Sequence, residues 1–242
     1  MDIIFIKMIQ RICLIIGLFL IVSFSKAQTV EYSVQLHSSL ASFWGGSSSK
    51  LSFVDLYLGL YNIENPYGRS PALSYGISTQ AQLLVKRYVF GLQVGYDNFK
   101  SNTSIHGSPQ EEAVYWIDTE RSSLVLSNHF LNLYPYIGRR IDKGKWIFDA
   151  TAGVDIAFSH GGKIRIDITD TNDTKMNRNI DLNGSGIDIR PRVSVIAYNG
   201  KFGYFAGYSL GILPYENEIG FESAAEGIYS RIVRLGISYK LN

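Results

Sequence analysis

The chain has 242 residues, 23 Lys+Arg against 21 Asp+Glu, 46% hydrophobic and 13% aromatic residues, and one cysteine. So even a charge balance argues against a nucleic-acid partner, which needs a basic excess, and a lone cysteine excludes a disulfide framework. No Pro/Gly/Ser-rich linker or low-complexity tract divides the sequence.

Lys7 and Arg11 precede an apolar run, Leu14 to Phe24, which is followed by Ser25-Lys26-Ala27. A basic start, a short apolar stretch and small residues at the cleavage positions read as a secretory signal peptide cut after Ala27. The run is shorter than the ~20 residues a membrane-spanning helix needs. Cys13 lies before it, so it is not placed as a lipoprotein acceptor. Residues 1–27 are therefore read as a cleaved signal and 28–242 as a single domain. The signal carries away Lys7, Arg11, Lys26 and Asp2, leaving equal numbers of acidic and basic residues. No later segment shows helical periodicity of useful length. Export without a membrane helix leaves a secreted β-protein or an outer-membrane barrel.

Strict alternation, the period of a strand with two different faces, recurs along the chain. A first strand sets Val30, Tyr32, Val34, Leu36, Leu40 and Trp44 against Glu31, Ser33, Gln35, His37 and Ser39. A second, Pro71 to Val85, ends at Lys86-Arg87, a tight connection to a third, Tyr88 to Phe99. The polar stretch Lys100 to Arg121 follows. In a fourth strand, Ser123 to Arg139, Leu131, Leu133 and Ile137 share one face while Leu124 and Leu126 fall on the other, which predicts a bulge. Arg140 to Gly144 reads as a turn. The fifth strand sets Trp146, Phe148, Ala150, Ala152, Val154, Ile156 and Phe158 against Asp149, Thr151, Gly153 and Asp155. A second polar stretch, His160 to Ser185, precedes a sixth strand with Asp188, Arg190, Arg192 and Ser194 on its polar face. Asn199-Gly200 is a strong hairpin signal. A seventh strand, Lys201 to Leu210, and a long stretch, Ile212 to Gly227, lead to an eighth, Tyr229 to Leu241. Pro135 and Pro191 lie inside strands, where each removes a ladder hydrogen bond and predicts a bulge or a shifted boundary.

The connections alternate long and short, the arrangement of transmembrane barrels. Apolar-face aromatics cluster at the short-turn ends (Tyr32, Tyr88, Trp146, Phe202, Tyr239) and the long-loop ends (Trp44, Tyr75, Tyr96, Phe158, Tyr229), as two interfacial girdles would. The predicted fold is all-β: an eight-stranded antiparallel up-and-down transmembrane barrel with short periplasmic turns and long extracellular loops.

The alternating strands and the closing Leu235 to Tyr239 segment resemble the small outer-membrane β-barrel family of the OmpX/OmpA type. The resemblance implies residence in the outer membrane of a Gram-negative bacterium, contact with outer-membrane lipid and lipopolysaccharide, and insertion by the barrel-assembly machinery. That machinery reads an aromatic closing residue in the family; here the chain ends Leu241-Asn242, with Tyr239 the nearest substitute.

An eight-stranded barrel is just wide enough for side chains to fill. The expected interior is a structural polar network containing Asp155, Arg190, Arg192, Asp188 and Glu31, with Asp155 pairing to Arg190 or Arg192 because buried charges must pair. His37 and Ser39 share that interior, but a nucleophile needs a base and an orienting group within reach. No metal-ligand spacing is present, and neither a cofactor nor a metal is expected. Asp167 to Asp173 is acidic but lacks the Gly and distal Glu of an EF-hand loop. Leu51 to Asn62, with Phe53, Leu56, Tyr57 and Leu60, is apolar for an exposed loop; it could extend the wall, form a short helix, plug the mouth, or bind a partner. The functional expectation is a non-enzymatic porin-like barrel presenting its loops for surface interaction, adhesion or envelope integrity. The alternatives are an accessory component of an envelope secretion or transport complex, and a lipid-modifying enzyme built on His37 and Ser39.

Overall fold

The computed structural model describes residues 29–46, 48–57, 60–64, 66–107, 121–169, 172–182, 186–214 and 227–242, with the backbone alone over 53–57, 60–64 and 106–107. The expected signal peptide lies outside the described residues. Among them are eleven strands: β1 (Thr29–Gly45), β2 (Leu51–Tyr57), β3 (Leu60–Glu64), β4 (Ser70–Val85), β5 (Tyr88–Gly107), β6 (Ser123–Lys143), β7 (Trp146–Thr169), β8 (Lys175–Leu182), β9 (Ile187–Asn199), β10 (Phe202–Leu210) and β11 (Ile228–Lys240).

Eight of them close a ring. Each pairs antiparallel with the next in the order β1, β4, β5, β6, β7, β9, β10, β11, and β11 returns to β1 from Ser33↔Lys240 to Gly45↔Ile228. Three connections are two-residue loops, shown by the pairs Val85↔Tyr88, Lys143↔Trp146 and Asn199↔Phe202. Their first loop residues, Lys86, Gly144 and Gly200, have φ of 58°, 65° and 61°. Left-handed backbone is free for glycine and strained for lysine. The stretch Arg140 to Gly144, read as a turn, is mostly strand: β6 runs on to Lys143 and only Gly144-Lys145 turns.

The ring is inside out relative to a soluble protein. Its exterior carries half-exposed Leu36, Leu40, Leu73, Ile77, Val94, Leu131, Ile137, Val195, Leu235 and Ile237, while the interior buries Gln35, Gln80, Gln93, Asp149, Arg192 and Arg234. In water an apolar wall of this extent is unfavourable; in hydrocarbon it is the surface a barrel presents. Aromatic pairs sit at both ends: Phe202 and Tyr239 at the short-turn end, Trp44 and Tyr229 at the other, each with ring centroids 5.0 Å apart.

Two expectations about irregularity are corrected. There is no parity change in β6; Leu124, Leu126, Asn128, Phe130 and Asn132 all point inward in one alternation. The extra residue is in β7, between the pairs Asn128↔Gly162 and Phe130↔Ser159, where Gly161 has a φ of 126°. Neither proline shifts the register. Beside Pro135 the β6–β7 ladder skips from Leu133↔Ile156 to Tyr136↔Gly153 with register unchanged. Pro191 pairs with Val154 on one side, and on the other lies just past the last β9–β10 pair, Ser209↔Arg192. Each missing N–H therefore falls at an interruption or an end of a ladder.

The polar stretches Lys100 to Arg121 and His160 to Ser185 are largely strand as well. β5, β6 and β7 rise past the rim of the other five ring strands, β8 pairs with the upper part of β7, and β2 pairs parallel to β5 over Leu51↔Ser104 to Val54↔Gly107. The order β3-β2-β5-β6-β7-β8 makes a second sheet standing on one side of the mouth. Of the stretch Leu51 to Asn62, the described residues are strand, Leu51–Tyr57 in β2 and residues 60–62 in β3, and they extend the wall.

Candidate functional site

Two regions could carry function: the interior of the ring and the sheet above it. The interior is stacked in layers. Nearest the short turns, Arg140 is gripped by two carboxylates: Nη1 and Nη2 reach Glu31 at 2.8 Å each, and Nε and Nη2 reach Asp149 at 2.7 and 2.6 Å. Lys240 Nζ joins Glu31 at 3.0 Å and lies 4.1 Å over the Tyr198 ring. Gln82 donates to both acids. A glutamine layer follows, in which Gln93 donates to Gln35, Gln35 to Gln80, and Gln80 to the Tyr198 hydroxyl.

The next layer centres on Arg234, whose Nη2 donates to Asp97 Oδ2 at 2.8 Å and Asp155 Oδ2 at 2.9 Å while Nη1 donates to Ser209 at 2.7 Å. His37 Nε2 lies 2.9 Å from Asp97 Oδ1, at ion-pair distance but outside hydrogen-bond angles. Gly76 makes room for that contact, since a Cβ there would overlap both His37 and Asp97. Arg192 stacks 4.3 Å over the Tyr134 ring. One level higher, Arg190 Nε donates to Asp188 at 2.7 Å, Ser230 donates to the same oxygen, and the Arg190 guanidinium rests 4.6 Å over Phe130.

All five residues expected in the lumen network, Asp155, Arg190, Arg192, Asp188 and Glu31, point inward, but the pairing differs. Asp155 stands opposite Arg190 in register, yet its carboxylate is bonded to Arg234 of β11 across the narrow lumen. Arg190 turns instead to Asp188 on its own strand. A long guanidinium can bridge two carboxylates that a neighbouring, shorter contact would leave apart. Asp97 and Arg140 were missing from the expected network. Arg140 falls in a stretch that reads as a turn, although it keeps the parity of inward Tyr134 and Tyr136.

Above Arg190 the interior becomes apolar. Phe43, Phe99, Ile105, Leu124, Leu126, Phe130, Ile164, Ile166, Ile168, Ile228 and Ile232 form one buried cluster at the mouth and along the inner face of the upper sheet. Below it, the cavity between His37, Asp97, Tyr134, Asp155, Arg192 and Arg234 measures about 10 Å³, room for one water. The described lumen is therefore ion-paired below and mainly apolar above, with Ser101 and Thr103 buried among the apolar residues. His37 has no hydrogen bond to Ser39 or any other hydroxyl, so the nucleophile–base contact that hydrolysis requires is not formed.

The upper sheet reverses the barrel's sidedness. Its inner face is Ile164, Ile166 and Ile168 with Met176, Ile180 and Leu182 against them; its outer face carries Lys163, Arg165, Asp167 and Asp181, paired as Lys163–Asp181 at 3.6 Å and Arg165–Asp167 at 2.8 Å. Arg121 binds Asp173 nearby, so Asp167, Asp173 and Asp181 each face a cation, and among the described residues no group of three or more acids, histidines or cysteines is placed to hold a metal. Of the expected loop surface, Phe53, Leu56 and Tyr57 belong to β2 and Leu60 to β3, paired as Phe53↔Glu64 and Tyr57↔Leu60; their side chains lie outside the described residues.

No family model matches the sequence, and no curated protein matches it. Among solved structures the chain is similar to Ail, the attachment invasion locus protein of Yersinia pestis in complex with the heparin analogue sucrose octasulfate, with 8% identity, a TM-score of 0.40, and coverage of 88% of this chain and 99% of that one. It is similar to Neisserial surface protein A at 9% identity and a TM-score of 0.38, covering 88% and 99%. A mutant of the monoaromatic hydrocarbon channel TodX follows at 8% identity and a TM-score of 0.25, covering 90% and 91%. Likenesses at this level add nothing to the ring of strands described above.

Proposed function

We propose that the chain is a non-enzymatic outer-membrane barrel, exported by its signal peptide and inserted by the barrel-assembly machinery, whose working part is the upper sheet. The observation that carries this reading is the reversal of sidedness along continuous strands: apolar outward in the ring, charged outward above it. Such strands fit a lipid-embedded base and an aqueous platform. The base is closed to solutes by its ion pairs and apolar stopper, and among the described residues no strand covers the outer edges of β3 and β8. Open edges accept an added strand from another chain, which suits an envelope or cell-surface protein partner, with outer-membrane lipid and lipopolysaccharide around the base. Deleting residues 172–182, which include β8, should leave the heat-dependent gel shift of a folded barrel intact and abolish cross-linking of surface partners on whole cells. Cross-links that survive the deletion would sink the platform reading, and a steady ohmic conductance in planar bilayers would sink the closed lumen.

A further inference from the structure

At the level where the wall changes character, its outer surface carries a cluster that neither the lumen nor the sheet edges use. Tyr96 of β5, His129 of β6 and His160 of β7 stand together, with ring centroids 5.9 Å apart in all three pairs, and the Tyr96 hydroxyl is 2.7 Å from His129 Nδ1. On the same face of β5, Lys100 holds its ammonium 5.6 Å over the Tyr75 ring. Just below, a hollow of about 580 Å³ opens in the apolar wall between Leu36, Tyr75, Ile77, Tyr96, Leu235 and Ile237. The hollow exists because Ser38, whose cross-strand neighbours are Tyr75 and Leu235, is small. Tyr75 and Tyr96 border both features, so the hollow and the cluster are continuous.

We infer that this is a binding site for a phosphorylated glycolipid of the outer leaflet, one acyl chain lying in the Ser38 hollow and a phosphate held by Lys100, His129 and His160. The inference rests on the reading that the ring sits in a membrane. Lysine supplies a fixed cation, and each imidazole supplies at least one N–H donor. When the Tyr96 hydroxyl donates to Nδ1, the proton of neutral His129 resides on Nε2 and is free for a ligand. The acidic side chains on the outer face above, Asp167 and Asp181, are already engaged by Arg165 and Lys163. Lys100 therefore gives an anion at this level a cation to meet, and the site is at the long-loop end of the wall, where an outer-leaflet headgroup would lie.

Native mass spectrometry of the full barrel can test it with three probes: phosphorylated lipid A, the same lipid dephosphorylated, and phosphatidylglycerol. Phosphorylated lipid A should be retained best. Lys100→Ala should weaken that retention about fivefold, the usual effect of one cation at an anionic surface, and the triple change Lys100→Ala, His129→Gln, His160→Gln should abolish the preference for phosphate. Ser38→Leu, which fills the hollow, should weaken both glycolipids alike. Equal retention with and without phosphate, or a triple variant that binds like the parent, overturns the site; phosphatidylglycerol held as tightly as lipid A overturns its assignment to a glycolipid. Each variant is first checked for the folded barrel's gel shift. A parent protein that neither shifts nor inserts into bilayers would instead overturn the membrane reading itself.

Discussion

Strand β6 passes through both halves of the molecule, and the two halves obey opposite rules. In the ring, Leu131, Leu133 and Ile137 look outward and Asn132 and Tyr134 inward; above it, Leu124 and Leu126 look inward while Ser123, Val125 and Ser127 look outward. The backbone alternation is unbroken, so the change is made by residue choice alone. β7 achieves the same reversal differently: most of its apolar residues, Trp146 to Phe158 and Ile164 to Ile168, stay on even positions, and one extra residue near Gly161 turns the upper set inward. A pair of adjacent strands thus shows that sidedness can be switched by sequence or by a bulge. On the placement proposed above, it is the solvent that forces the switch. Lipid outside requires the polar groups to be satisfied within the ring, and water outside returns the apolar residues to the interior.

Breaking the ring's polar interior should cost most. Arg140→Met leaves Glu31 and Asp149 facing each other without their shared cation, and the loss should be about 3–5 kcal/mol in denaturant unfolding from micelles. Next comes a paired test on β6. Leu126→Ala opens a void in the apolar cluster and should cost about 2–5 kcal/mol, whereas Leu131→Ala, facing lipid, should cost clearly less by the same assay. Arginine sharpens the contrast: at Leu133 it should cost about 2–4 kcal/mol, as for a charge inside the hydrocarbon, and at Val125 almost nothing. Equal costs at the two positions would erase the proposed boundary. Gly76→Ala drives a methyl into His37 and Asp97 and should cost about 1–3 kcal/mol. Smallest is Lys86→Gly, which relieves a left-handed lysine and should stabilise the ring by about 0.5 kcal/mol.

The ring was legible in the sequence because its outward face repeats one chemistry, strand after strand, and Asn199-Gly200 and the girdle aromatics mark the ends. The upper sheet was not. Its strands alternate too, plainly so in Lys163-Ile164-Arg165-Ile166-Asp167-Ile168, but on average they are polar, which is how loops read. In Leu124 and Leu126 the signal is present but reads as a bulge, because a reversed environment and a slipped register leave the same trace in one strand. The lumen residues were legible by parity, their partners were not: Asp155 meets Arg234 through space across the lumen, and pattern carries no information about which long side chain reaches farthest. The cluster of Tyr96, His129 and His160 has no spacing signature at all, since three different strands supply it.

The central claim, one wall in lipid and then in water, can be tested most directly by cysteine scanning along β6. The only native cysteine, Cys13, precedes the ring, so single cysteines at Val125, Ser127, Leu131, Leu133 and Ile137 can be spin-labelled in bilayers and probed with oxygen against a water-soluble nickel complex. The account predicts nickel-accessible labels at positions 125 and 127 and oxygen-accessible labels at 131, 133 and 137, with the crossover near His129. A single accessibility along all five positions would contradict it.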